Sequence, residues 1–180
     1  VIHKWSNGTF LECQDMFREN GIFRDVLLYQ MPAAYINDLY YRTKETSKGW
    51  DLTVSADIAS PAEGMTLCTE IYDGKKLIAS KTADAKSDTV ISFKGLDVTA
   101  WNAEIPTLYT AYTTLCSGDD EVMTLRNYIG FKTVKIKKDV FTVNGKAIKV
   151  KGVNHHDTQY KTGYVMSFDD LEKDIKLMKS

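Results

Sequence analysis

Residues able to do chemistry crowd two short stretches of this 180-residue chain. The first runs Glu12-Cys13-Gln14-Asp15-Met16-Phe17-Arg18 and continues, after a short gap, as Gly21-Ile22-Phe23-Arg24-Asp25-Val26. Acids, arginines and bulky aromatics stand side by side there, joined by a glycine and leading into an apolar run. A plain structural strand has no need of that mixture. A loop beside a binding pocket does, because partly buried charges require partners. The plainer alternative is that Asp15 only pairs with Arg18 or Arg24. The second stretch is Asn154-His155-His156-Asp157. Adjacent histidines on a strand point to opposite faces and chelate poorly, so a metal centre is not expected there.

The elements that must carry these residues follow from periodicity. An apolar strand is expected from Ile22 to Leu28, with Pro32 punctuating the chain. Leu52, Val54, Ala56 and Ile58 then alternate with Thr53, Ser55 and Asp57, the period of a half-buried strand. Similar runs lie near Leu67 to Tyr72, Leu77 to Lys81, Val90 to Phe93, Tyr109 to Leu115 and Val122 to Leu125. Turn residues separate them, among them Asp73-Gly74 and Ser117-Gly118-Asp119-Asp120. About seven short antiparallel strands over residues 32–137 predict an all-β, immunoglobulin-like sandwich.

Beyond the sandwich the period changes. Phe141 to Val143 and Ile148 to Val150 flank Asn144-Gly145, the strongest short hairpin signal. Ser167 is a plausible N-cap, with Asp170 three residues on and Leu171, Ile175 and Met178 at helical spacing. A strand followed by a first helix is how a (β/α)8 barrel begins, and a whole barrel takes roughly 250 residues. Residues 138–180 are expected to be only its start. The N-terminus shows neither an initiator methionine nor a secretory pattern, so the chain is expected to be an excised internal piece.

Composition narrows the classes. Hydrophobic residues make up 43% and charged residues 26%, values of an ordinary globular domain. A net charge of −1 gives no global pull on nucleic acid or an anionic membrane, and neither partner is expected. Lys132, Lys135, Lys137, Lys138, Lys146, Lys149 and Lys151 form a local exception. Most alternate with Val134, Ile136, Ile148 and Val150, as on a solvated face whose reverse is core. Cys13, Cys68 and Cys116 are too few and too scattered for a disulfide framework or a zinc site, and fit buried thiols in a reducing, cytoplasmic setting. Trp50 and Trp101 could stack on sugars, but core or interdomain packing is the plainer expectation.

The words of this sequence resemble the long β-galactosidases among the family 2 glycoside hydrolases. Glu12 to Arg18 is similar to that family's Asp-Gln-Asp-Met-Trp-Arg segment, and Gly21 to Val26 to its Gly-Ile-Phe-Arg-Asp-Val. Trp101-Asn102-Ala103-Glu104-Ile105-Pro106, Ile129-Gly130-Phe131-Lys132, Val143-Asn144-Gly145-Lys146 and Lys151-Gly152-Val153-Asn154-His155-His156-Asp157 also resemble family words, in the family's order. The resemblance implies that residues 1–31 end a sugar-binding jelly roll, that 32–137 form the sandwich and that 138–180 open the catalytic barrel. It implies a retaining hydrolase of terminal non-reducing β-D-galactosides such as lactose, using sodium and magnesium and assembling as a homo-oligomer.

The resemblance places Asp15 at sodium and at the galactosyl group. A carboxylate oxygen suits a hard cation and a sugar hydroxyl alike. Cys13 stands where the family usually has an aspartate, Phe17 where it has tryptophan, and His155 and Asp157 where it has arginine and glutamate. His156 and Asp157 are implied at the pocket floor, with plain packing the alternative. Retaining hydrolysis needs two carboxylates about 5–5.5 Å apart. The family keeps one of them in an Asn-Glu pair, and this chain has no such dipeptide. The chain alone is therefore expected to be catalytically dead, a scaffold joined to the remaining domains of a longer protein. The alternatives are a piece of a β-glucuronidase or β-mannosidase, or a free-standing immunoglobulin-like binding module.

Overall fold

The computed structural model describes residues 21–180, and Asp15, Cys13 and Phe17 lie outside them. The described chain divides into two units, residues 30–150 and residues 21–29 with 151–180.

Seven of the ten described strands in the larger unit build a sandwich. They are β1 (Tyr35–Thr46), β2 (Gly49–Ala59), β3 (Met65–Asp73), β4 (Lys76–Asp84), β5 (Asp88–Leu96), β6 (Tyr109–Ser117) and β7 (Asp120–Ile129). One sheet has the order β1-β2-β5 and the other β4-β3-β6-β7. The fourth strand thus pairs with the third, whereas a constant-type sandwich has it in the opposite sheet. Leu52, Val54, Ala56 and Ile58 are buried as their alternation requires, facing Leu67, Ile71, Ala111 and Leu115 from the other sheet. Each of the leucine, valine and isoleucine side chains contributes about 1.5–3 kcal/mol by leaving water. Phe131 is fully buried and meets the rings of Trp50 and Tyr109 edge-on, at centroid distances of 6.0 and 5.4 Å. Thr69 and Thr113 are fully buried polar residues in this core. Their hydroxyls bond each other at 3.1 Å, and the Tyr41 hydroxyl reaches Thr113 from the opposite sheet at 3.2 Å.

A separate three-stranded meander follows, made of β8 (Val134–Lys137), β9 (Val140–Val143) and β10 (Lys146–Ala147). Two-residue turns join it, Lys138-Asp139 with φ of 47° and 63° and Asn144-Gly145 with φ of 49° and 74°. Both are left-handed throughout, the geometry that matches strand twist in tight hairpins. The reverse face of this sheet is not core. Val134, Ile136, Ile148 and Val150 are exposed, which corrects the sequence expectation. Among the described residues no second sheet or helix covers these strands of two to four residues, and only the Trp101 to Glu104 loop lines a cavity with them.

Asn144 ties the meander to the sandwich. Its Nδ2 donates to the Trp101 carbonyl at 2.8 Å, and its Oδ1 accepts from the Thr133 amide at 2.9 Å. Asn144→Ala removes both bonds and puts a residue less suited to positive φ in the turn. We expect a loss of about 2–3 kcal/mol, read as a lower urea midpoint at unchanged slope.

In the smaller unit, residues 21–29 form no strand. The expected apolar strand from Ile22 to Leu28 is absent, and Ile22, Val26, Leu27 and Leu28 are exposed. An extended segment becomes a strand only by pairing, and no described strand pairs with it. The Ile148 amide still donates to the Phe141 carbonyl at 3.0 Å, but residues 149–158 hold no ladder. Helix α1 (Phe168–Lys179) forms as its signals require. Ser167 Oγ accepts from the Asp170 amide at 3.2 Å, and Asp170 accepts in return from the Ser167 amide at 3.0 Å.

The Ser167 hydroxyl also donates to the Asp170 carboxylate at 2.6 Å, and this bond, followed by that from the Ser167 amide, holds the Asp170 carboxyl below its ordinary value of 3.8. Asp51 is lowered too, first by the Lys94 ammonium and then by the Gly95 amide. A depressed carboxyl stabilises the fold above its unfolded pKa and loses that contribution as pH falls through the folded one. The urea midpoint should therefore be insensitive to both groups near neutrality and drop in acid below about pH 4. Asp51→Asn should flatten that drop.

Candidate functional site

Within the smaller unit a cavity of about 400 Å³ is lined by Phe23, Arg24, His155, His156, Asp157 and Tyr164. Arg24 is held in two ways. Its guanidinium lies 5.0 Å from the centre of the Phe23 ring, and its Nη1 donates to the Tyr164 carbonyl at 3.3 Å. Phe23 in turn meets the Tyr164 ring at 5.6 Å. His155 bridges two carboxylates, with Nδ1 3.4 Å from Asp157 and Nε2 3.2 Å from Asp174 on α1. The helix therefore orients the imidazole, and the imidazole steadies Asp157.

The two histidines line the same cavity, contrary to the divergence expected of neighbours on a strand. The reason is local. Residues 155–156 are in no strand, and the chain turns there, the Thr158 amide donating to the His156 carbonyl at 2.8 Å. Among the described residues no cluster of three or more His, Cys, Asp or Glu could hold a metal ion. The cavity offers imidazoles, a guanidinium and one carboxylate, a set suited to hydrogen-bonding a hydroxyl-rich ligand. One lining carboxylate does not assemble the pair that retaining glycoside hydrolysis requires.

Sequence reasoning marked His156 and Asp157, and the structure brings them together with Arg24 and Phe23 from the distant Gly-Ile-Phe-Arg-Asp word. It missed Tyr164 and Asp174. Tyr164 follows a tight turn closed by Gln159 and Gly163 and carries no periodic signal, while Asp174 reads as one more solvated helix charge. Asp15 lies outside the described residues.

The two tryptophans differ in exposure, and Trp101, half-buried, lines a cavity with Val134 and Phe141 of the meander. Trp50 is 6% exposed and packs in the core. Trp101 is closed on one side by Gly130, where an added Cβ would come within 3.0 Å of the indole, and Lys132 Nζ stands 4.3 Å from the ring centre. Cys68 and Cys116 are free thiols, partly buried, with burial raising the Cys116 pKa.

Two family models account for nearly all of this architecture. Residues 34–132 match the model described as glycosyl hydrolases family 2, and residues 134–180 match the TIM barrel domain of glycosyl hydrolases family 2. The chain belongs to glycosyl hydrolase family 2. Among curated family relatives, a β-galactosidase of Pectobacterium atrosepticum is 32% identical over 99% of this chain and 19% of its own length. One from Staphylococcus xylosus is 33% identical over 99% of the chain and 17% of its own. The chain thus spans about a fifth of these relatives. Similar solved structures include the β-glucuronidases of Bifidobacterium dentium, with TM-score 0.69, 23% identity and 81% of this chain against 26% of that one, and Parabacteroides merdae, with TM-score 0.67, 21% identity and 82% against 20%. At that identity they share the fold of family 2, an all-β sandwich running into the start of a barrel.

Proposed function

We propose that this chain is the interdomain portion of a β-galactosidase, a retaining hydrolase of terminal non-reducing β-D-galactosides such as lactose. The observation that carries the reading is full-length similarity. Eight curated β-galactosidases match 99% of the chain at 30–33% identity, through the sandwich, the meander and the barrel start alike.

In this reading the cavity of Arg24, His156 and Asp157 contributes to the floor of the sugar site. His155 is a positioning residue there, holding Asp157 from α1. The two catalytic carboxylates come from elsewhere in the longer protein, and the chain by itself is a scaffold without turnover. Asp15 is proposed to contact the galactosyl group and a sodium ion. Its oxygen chemistry suits that cation, although one carboxylate needs further ligands. The described residues offer no cluster for magnesium, so that ion would be held elsewhere. Location in the cytoplasm and homo-oligomeric assembly are part of the same proposal.

Substrate preference tests it. The longer protein should have a higher kcat/KM on nitrophenyl β-D-galactoside than on the matching glucuronide or mannoside. A preference for the glucuronide or mannoside would refute the reading.

A further inference from the structure

Strands β1 and β7 are the outer strands of their sheets, and they border a shared groove of about 300 Å³. Each presents an exposed tyrosine to it, Tyr40 at 57% and Tyr128 at 62% exposure. Each tyrosine carries an arginine over its ring. Arg42 stands 5.5 Å from the centre of Tyr40, and Arg126 stands 5.4 Å from the centre of Tyr128. Lys132 also lines the groove, and no carboxylate does. Among the described residues none of the three cations makes an ion pair. Edge strands commonly carry charge to discourage pairing, but that need is met by lysine alone and does not call for exposed aromatic rings.

We propose that this groove binds a carboxylate-bearing saccharide. A phenol ring offers an apolar face to the C–H face of a sugar and a hydroxyl to its polar edge, at low cost in side-chain freedom. An arginine fork matches a carboxylate in two-point geometry, and its position over the ring holds the tyrosine in one orientation. Charge decides the class. Arg42 and Lys132 line the groove with no acid beside them, and Arg126 stands over the Tyr128 ring, which favours an anionic ligand over a neutral sugar. The lysine run of the meander continues beyond the groove from Lys132, but a chain of net charge −1 exerts no general pull on a nucleic acid, and the oligonucleotide arm of the test below separates the two ligands. Trp50 is buried and Trp101 is half-covered by Gly130 and Lys132, so the exposed rings at this groove are the tyrosine pair. The proposal stands apart from the galactosidase reading and survives or fails without it.

The test is an NMR titration of the 180-residue chain with tetragalacturonate, using its methyl ester as the neutral control. Shift changes should be confined to residues near 40–43 and 126–132. Affinity should fall at least about tenfold for the ester, for Arg42→Gln with Arg126→Gln, and for Tyr40→Ala with Tyr128→Ala. The map on the unaltered chain is read independently of whether any variant folds. Equal binding of the ester, unchanged affinity in the variants, shifts mapping elsewhere, or no binding at all would overturn the proposal. So would equal affinity for a single-stranded oligonucleotide of the same charge.

Discussion

Phe131→Ala is expected to cost the sandwich about 3–5 kcal/mol, the range for emptying a buried aromatic site. The side chain is fully buried, and it is the piece against which Trp50 and Tyr109 set their edges. Removing it leaves two large rings without a partner in a core that cannot collapse around the gap. A domain of this size has roughly 5–15 kcal/mol in total, so the variant should sit near the limit of folding. The urea midpoint should fall steeply while the slope is kept, and Phe131→Leu should lose far less. Gly130, Phe131 and Lys132 act as a unit in this chain. Gly130 admits the Trp101 indole, Phe131 fills the core, and Lys132 covers the indole from outside.

Gly49→Ala should be nearly as damaging for a different reason. Gly49 opens β2 with φ of 109°, and a Cβ built there would lie 2.6 Å from the Leu96 carbonyl oxygen. Backbone cannot swing aside as a side-chain tip can. The residue must leave its conformation or push β2 away from β5, so a cost above about 2 kcal/mol is expected. Thermal unfolding should report it. Gly64→Ala is the control, since its φ of 82° is strained but nothing lies within 4 Å of the added carbon.

Much of the sandwich was legible because β2, β3 and β6 keep strict alternation between one buried and one wetter face. The longest strand, β1, escaped notice. A bulge between Ile36 and Asp38 places the inward residues at Ile36, Leu39 and Tyr41, and the odd step from 36 to 39 breaks the period. The Lys138-Asp139 turn was hidden too, for it uses left-handed geometry without a glycine or asparagine to announce it. The N-cap of α1 was readable because capping is local chemistry, settled by Ser167 and Asp170 alone. The site was legible only in part. His156 and Asp157 stand in a distinctive word, whereas Tyr164 and Asp174 join it through a turn and a helix whose placement no local pattern encodes. The Ile22 to Leu28 run showed the opposite failure, since apolar sequence states a tendency to be covered and cannot name the cover.

The most direct measurement compares nitrophenol release from a β-D-galactoside by the purified 180-residue chain and by the longer protein containing it. If the chain positions sugar without performing the chemistry, the longer protein turns over and the chain releases nothing above the uncatalysed rate. Steady turnover that stays with the chain through purification would contradict the account, because the paired carboxylates would then have to lie within these residues.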